Sequence, residues 1–142
     1  MVMSRLLKFA LVADAVATAA TGLLMAAFSG SLGSLLGLPV PLLQYSGLVL
    51  LPYAAGVGYL GSRTRVPAGA IWAVIVLNVL WAVDSVALLF TAWIAPTGLG
   101  MAFVIFQALV VAALAELQYF GLRQSSRGSE QHKAYGVFPA SS

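Results

Sequence analysis

The chain has 142 residues, of which 61% are hydrophobic and 8% are charged, and it contains no cysteine. A soluble domain carries about a quarter charged residues, so this composition argues against a soluble enzyme, a nucleic-acid-binding protein and a disordered chain. The mean hydropathy of +0.99 and the formal net charge of +3 instead fit a membrane protein with basic loops.

Four segments of the sequence are long and apolar enough to cross a bilayer, which takes about 20 residues in a helix. They cover approximately residues 6–28, 42–60, 68–93 and 99–120. A proline stands shortly before each of the last three, where a helix is expected to begin. We therefore predict an all-α membrane protein. Residues 1–123 would form a bundle of four transmembrane helices, and residues 124–142 a polar, disordered tail.

The basic residues predict how the spans are oriented. All of them lie at the start of the first span, between the second and third spans, or after the fourth: Arg5, Lys8, Arg63, Arg65, Arg123, Arg127 and Lys133. The other two connections carry no charge. Because basic loops stay in the cytoplasm, we predict a multi-pass protein of the cell (inner) membrane with both termini cytoplasmic.

The connection between the first two spans has the sequence S-G-S-L-G-S-L-L-G-L-P. Its leucines predict a short helix lying in the membrane interface. In that arrangement Leu32, Leu35 and Leu36 would face lipid.

A weak internal repeat relates the two halves of the chain. Span two ends in Y-L-G-S-R at residues 59–63, and span four ends in Y-F-G-L-R at residues 119–123. Asp14 in span one aligns with Asn78 in span three. The pattern predicts two parallel hairpins related by an axis along the membrane normal. The alternative is that any helix leaving the membrane on the cytoplasmic side tends to show Tyr, a small residue and Arg.

Three of the four acidic residues fall inside predicted spans: Asp14, Asp84 and Glu116. Moving an Asp to the middle of a bilayer costs about 3 kcal/mol, so such groups are expected to be paired, neutral or next to water. With Asn78 they form a ladder of polar groups across the membrane. A proton-coupled transporter could use this ladder, with Asp14 exchanging a proton against a substrate.

The competing interpretation is that the polar residues hold the helices together. Under it, Asp14 is held by uncharged partners, Asp84 lies near the outer headgroups, and Glu116 meets Lys8 or Arg123 at the inner interface. The helix-packing candidates are small or uncharged polar residues: Thr18, Thr21, Gly22, Ala54, Gly58, Ser85 and Gln107. Among them, Ala54-x-x-x-Gly58 has the spacing that brings two membrane helices close, and it is predicted to bind a partner helix.

The sequence predicts no catalytic site, metal or cofactor. Its single histidine, His132, lies in the polar tail, so no span offers an imidazole to a haem or a metal. Serines lack a histidine partner within the membrane, and the glycines form no phosphate-binding loop. We therefore expect a protein that is not an enzyme.

Several motifs carry a resemblance to known proteins. They are A-D-A-V-A-T-A-A-T-G-L-L in span one, L-G-L-P at 36–39, N-V-L-W-A-V-D-S at 78–85 and P-T-G-L-G at 96–100. Together they resemble small uncharacterised bacterial four-span integral membrane proteins, a resemblance that implies the fold and no activity. An acid in the first of four spans is also similar to the small multidrug resistance exporters, which would make Asp14 the proton- and drug-binding carboxylate. This chain departs from them in having Asp in place of Glu and a one-sided charge bias.

Two functions remain open from the sequence. The first is a non-catalytic integral membrane protein, an accessory subunit or scaffold that binds copies of itself or another membrane protein. The second is a small proton-coupled transporter centred on Asp14.

Overall fold

The protein is all-helical in a computed structural model that describes the backbone of residues 2–91 and 94–136 and the side chains of residues 2–91 and 94–128. Its helices are α1 (Arg5–Ala27), α2 (Ser29–Leu36), α3 (Val40–Ser62), α4 (Ala68–Leu88) and α5 (Gly98–Gly136). All except α2 are long and apolar enough to cross a membrane. The prediction of an all-α protein with four helices long and apolar enough to span a membrane is therefore confirmed.

Two predicted boundaries differ from the structure. The third span was expected to reach residue 93, but α4 ends at Leu88 because the N–H groups of Leu89 and Phe90 donate to carbonyls three residues back and close a turn. The fourth span was expected to end at residue 120, with a disordered tail from residue 124. Instead α5 continues to Gly136, and the tail residues 137–142 lie outside the described part.

The extension of α5 is held by the first residues of the chain. Ser4 is the N-cap of α1, and its hydroxyl accepts from the N–H of Leu7 at 3.2 Å and donates to the carbonyl of Gly121 at 3.2 Å. The backbone N–H of Ser4 donates to the buried Ser125 hydroxyl at 2.8 Å. These contacts tie the beginning of α1 to α5 beyond the end of the predicted span.

Small residues let α1 and α3 approach each other closely along most of their length. A Cβ added to Gly47 would lie 2.7 Å from the carbonyl oxygen of Gly22. Ala54 is buried in the same helix pair, and the nearest neighbour of Gly58 is the Cβ of Ala15 on α1. The prediction that Ala54 and Gly58 bind a partner helix is therefore wrong: they are packing residues, but the helix they meet is α1 of the same chain.

The remaining helix contacts are unequal. Helix α5 packs against both α1 and α4, and a Cβ added to Gly121 would lie 2.6 Å from the Cα of Leu7. Helices α3 and α4 follow one another in the chain yet make little contact. The bundle therefore has a cleft between α3 and α4.

The two ends of the bundle differ in charge. The basic end brings together the start of α1, the α3–α4 connection and the later part of α5, and the N–H of Met3 donates to the carbonyl of Thr64 at 3.1 Å. An apolar cluster fills this end of the bundle: Leu7, Leu11, Val57, Val66, Ile71, Val74, Ile75 and Leu122.

Helix α2 covers the opposite, uncharged end. It ends at Leu36 and is followed by Gly37, whose φ of +68° is a left-handed conformation that favours glycine. The connection does form a helix, but Leu36 is buried in a second apolar cluster with Met25 and Val104 rather than facing lipid. The reason is that the hydroxyl of Thr97 donates to the carbonyl of Leu35 at 2.9 Å and holds α2 against the start of α5. Leu35 is exposed, as expected.

Candidate functional site

Asp14 is fully buried at the centre of the bundle, and four side chains surround its carboxylate. Its Oδ2 atom accepts from Nε2 of Gln118 at 2.7 Å and from Nδ2 of Asn78 at 2.9 Å. The hydroxyl of Tyr53 lies 3.4 Å from the same oxygen. Its Oδ1 atom accepts from the hydroxyl of Thr18 at 3.0 Å.

The partners of Asp14 are also bonded to one another. The Tyr53 hydroxyl donates to Oδ1 of Asn78 at 2.9 Å, and Nδ2 of Asn78 donates to Oε1 of Gln118 at 2.9 Å. We call Asp14, Thr18, Tyr53, Asn78 and Gln118 the Asp14 network. It contains a side chain from each of the four long helices, so it fixes how all four are arranged.

The network forms because its residues come to the same depth in the bundle. Asp14 and Tyr53 each lie nine residues from the basic end of their helix, and Asn78 lies ten residues from the basic end of α4. At about 1.5 Å per residue these positions differ by less than one helical turn. Gln118 reaches the same level because α5 extends beyond the basic end of the other helices.

Uncharged groups fill three of the roughly four acceptor positions of the Asp14 carboxylate. An ionised carboxylate offers about four acceptor positions, and Thr18, Asn78 and Gln118 supply three close donors. The Tyr53 hydroxyl, 3.4 Å away, gives its single proton to Oδ1 of Asn78. Among the described residues no Lys, Arg or His forms an ion pair with it. The arrangement resembles a completed hydrogen-bond network more than an open ligand site.

A cavity of about 160 Å³ lies next to the network on the side of the uncharged end. Thr18, Tyr53 and Asn78 form its polar floor, and Trp81 and Gln107 lie at its other side. The rest of its lining is apolar and comes from α1, α3, α4 and α5. We call it the central cavity.

A second cavity, of about 260 Å³, lies nearer the uncharged end and includes Ser46, Asp84 and Ser85 in its lining. Trp81 and Gln107 line both cavities, and Nε1 of Trp81 donates to Oε1 of Gln107 at 2.8 Å. The Trp81–Gln107 pair therefore divides one cleft into two compartments. Asp14 lines neither compartment.

The predicted ladder of polar groups is only partly assembled. Asp14 and Asn78 are in direct contact, and Asp84 lines the second cavity while remaining exposed. Glu116 is on the exposed side of α5, and in the described part of the chain it forms no ion pair with Lys8 or Arg123. The expected pairing at the inner interface is therefore absent, and the ladder does not continue from Asp14 to Glu116.

The predicted packing residues fall into two groups. Thr18, Gly22, Ala54, Gly58 and Gln107 meet other helices or the network. The hydroxyls of Thr21 and Ser85 instead donate to carbonyls of their own helices, Ala17 and Trp81, at 2.8 and 2.7 Å. Such bonds to the preceding turn satisfy a hydroxyl in an apolar environment without joining two helices.

Two members of the network, Tyr53 and Gln118, were not predicted as site residues. A signal for Tyr53 was available in its depth, since it lies as far from the end of span two as Asp14 lies from the start of span one. For Gln118 the signal was its position on the same face of span four as Gln107, opposite Glu116. To use these signals, the depth of each polar residue along its span and the helix face on which it lies must be compared between spans.

The fold and the site define an all-helical protein with four potential membrane spans joined by a buried polar network. In the described residues no group of three His, Asp or Glu side chains could hold a metal ion. No protein-family model, curated protein or solved structure matches the chain. The resemblance to small bacterial four-span membrane proteins therefore stays a prediction from the sequence motifs.

Proposed function

We propose that the protein is a non-catalytic integral membrane protein, an accessory subunit or scaffold in a membrane assembly, and that Asp14 is structural. One observation carries this proposal: Asp14 accepts hydrogen bonds from side chains of α1, α4 and α5, and Tyr53 of α3 joins the same network by donating to Asn78. A buried hydrogen-bonded network of this kind specifies one arrangement of helices. The protein would then present a fixed outer surface to its partner, either a second copy or another membrane protein.

The surroundings of Asp14 add support to a structural role. A carboxylate that exchanges protons needs a path for water or protons, whereas the apolar cluster at the basic end lies between Asp14 and that end. On the other side, Thr18, Tyr53 and Asn78 separate it from the central cavity.

The proposed orientation places both termini in the cytoplasm and the chain in the cell (inner) membrane. Its support is the gathering of the basic segments at one end of the bundle and the absence of charge from the connections at residues 29–41 and 91–98. A periplasmic reporter fused after residue 142 should be inactive if this orientation is right, and an active fusion would reverse it.

The proposed two-hairpin repeat has mixed support. Arg63 lies over the ring of Tyr59 at 5.5 Å, and Arg123 lies over the ring of Tyr119 at 5.8 Å, so the two repeated motifs make the same contact. However, the packing of α5 on α1 has no counterpart between α3 and α4. A duplication would therefore have lost its symmetry where the cleft lies.

The accessory role is tested by identifying the membrane proteins that co-purify with this chain. A pull-down in mild detergent from the native membrane, with mass spectrometry, should recover a second membrane protein in fixed ratio or a defined oligomer of this chain. Recovery of the chain as a monomer would contradict a scaffold role.

A small proton-coupled transporter is the second candidate, because three members of the Asp14 network also line the central cavity. A rotation of one of those side chains would expose the carboxylate to a molecule in the cavity. Proteoliposomes separate the two candidates. A structural Asp14 gives background proton flux in both the wild type and Asp14→Asn, whereas a wild-type flux abolished in a folded Asp14→Asn variant would favour the transporter.

A further inference from the structure

The amide of Gln107 has a donor group without a partner. Because the indole N–H of Trp81 can only donate, the Gln107 atom that meets it must be the carbonyl oxygen. The NH₂ group of Gln107 is therefore turned away from Trp81. Among the described residues no side chain or carbonyl accepts from it.

This amide belongs to a half-buried side chain that lines the central cavity. When an apolar molecule fills the cavity, this donor loses its bonds to water without replacing them, which is unfavourable. A molecule in the cavity that offers an oxygen acceptor would restore the missing hydrogen bond.

The size and lining of the cavity narrow the class of molecule. Its volume of about 160 Å³ is close to the roughly 150 Å³ of an engineered protein cavity that binds benzene. No Asp, Glu, Lys, Arg or His lines it, and most of its wall is apolar. These features suit one uncharged ring with a single polar substituent.

The cleft between α3 and α4 provides the route of entry. Val49 on α3 and Leu77 on α4 both line the central cavity, and they are 62% and 51% exposed. Since α3 and α4 make little contact, the cavity faces the surface that the lipid chains of a bilayer would cover. A ligand that enters here is one that dissolves in lipid.

We propose that the central cavity binds an uncharged, ring-sized, lipid-soluble molecule that carries a carbonyl oxygen, and that the amide of Gln107 donates a hydrogen bond to that oxygen. The carbonyl can belong to a free small molecule or to the ester of a membrane lipid. This site is additional to the proposed accessory role and does not depend on it.

The test compares two probes of nearly equal shape, acetophenone and ethylbenzene, of which only acetophenone has a carbonyl. Each is titrated against the full chain in dodecyl maltoside, and binding is followed as a saturable rise in the midpoint of thermal unfolding. Acetophenone should bind at least about fivefold more tightly than ethylbenzene, the difference expected for one hydrogen bond.

Three variants assign that difference to the site. In Gln107→Leu the preference for acetophenone should fall to about onefold, whereas Gln124→Leu, at an exposed glutamine of the same helix, should keep it. Ala17→Leu, which adds side-chain volume at the cavity wall, should abolish binding of both probes. Because the preference is a ratio within one variant, a general loss of stability does not change it.

The proposal is overturned if neither probe binds saturably, if the preference persists in Gln107→Leu, or if Ala17→Leu leaves binding unchanged. Nanodiscs of ester-linked and ether-linked phospholipid then identify the natural source. Weaker acetophenone binding in the ester-linked discs supports a lipid carbonyl in the site, and equal binding supports a free small molecule.

Discussion

Two glutamines on α5 illustrate two different regions of the bundle. Gln118 is fully buried in the Asp14 network, where its amide donates to Asp14 and its oxygen accepts from Asn78. Gln107, eleven residues and about three turns away, is half-buried, bonds only through its oxygen, and lies between two cavities. The inner region, around the Asp14 network, is closed, and its glutamine bonds through both its NH₂ group and its oxygen. The outer region, around the two cavities, has space and a glutamine whose NH₂ group makes no bond among the described residues.

This contrast separates what holds the bundle together from what can receive another molecule. Close packing and completed hydrogen bonds at the inner region set the positions of four helices. The cleft between α3 and α4 in the outer region can therefore stay open while the inner region keeps the fold stable. Binding sites commonly need such a division between a rigid frame and an incompletely filled space.

The largest difference in the free energy of unfolding is expected between substitutions of Gln118 and Gln107. Gln118→Leu removes the shortest hydrogen bond to Asp14 and leaves a buried carboxylate and Asn78 short of partners. It should lower the free energy of unfolding by about 3 kcal/mol, whereas Gln107→Leu should cost about 1 kcal/mol or less. Unfolding by SDS titration in mixed micelles measures both. Equal losses in the two variants would remove the distinction between the regions.

A glycine contact tests whether the inner region is tightly packed. Gly121→Ala would bring a Cβ to 2.6 Å from the backbone of Leu7, so α1 and α5 must separate. We expect a loss of about 2 kcal/mol in the same assay, because overpacking outweighs the higher helix propensity of alanine.

Gly69→Ala is the matched control for that substitution. A Cβ at Gly69 would have nothing within 4 Å, so this change should leave stability unaltered or raise it slightly. If Gly121→Ala were equally well tolerated, the close approach of α1 and α5 would be wrong.

Two alanines on α1 compare the space available in the two regions. Ala10 is fully buried at the basic end, and Ala17, two turns further on, lines the central cavity. Ala10→Leu should destabilise the protein by about 1–2 kcal/mol, while Ala17→Leu should be close to neutral because the cavity accepts the added atoms. The melting temperatures of the two variants measure these costs, and Ala10→Leu should have the lower one. A lower melting temperature for Ala17→Leu would show that the cavity has no room for the leucine side chain.

The smallest effect on stability is expected from a substitution of Glu116, which is exposed and, in the described part of the chain, forms no ion pair. Glu116→Gln should therefore produce no measurable change in stability. Asp14→Asn is the informative comparison, since it replaces one of two acceptor oxygens by an NH₂ group that would face a side chain now donating to Asp14. A strong effect of Glu116→Gln would place an unrecognised partner on the outer face of α5.

Part of this architecture could be read from the sequence. Hydropathy alone locates four long apolar segments, and helical periodicity places Asp14 with Thr18 on one face of α1 and Asn78 with Trp81 on one face of α4. The structure agrees with these predictions because each of them depends only on the order of residues along one helix.

The contacts between helices could not be read in the same way. Tyr53 counts as an apolar residue because its ring hides the hydroxyl that completes the network. The Ala54–Gly58 stripe has the spacing for close packing, but the spacing does not say which helix it meets. Likewise the cleft exists because α4 packs on α5 rather than on α3, a choice that depends on all four helices together.

The partners of Asp14 also become available in a fixed order during synthesis. Gln118 follows Asp14 by 104 residues, which takes a ribosome about five to twenty seconds at 5–20 residues per second. Throughout that interval a carboxylate already in the first span has at most Thr18, Tyr53 and Asn78 to meet it. We therefore expect chains truncated before residue 118, which lack the shortest hydrogen bond to Asp14, to be degraded faster than the full chain.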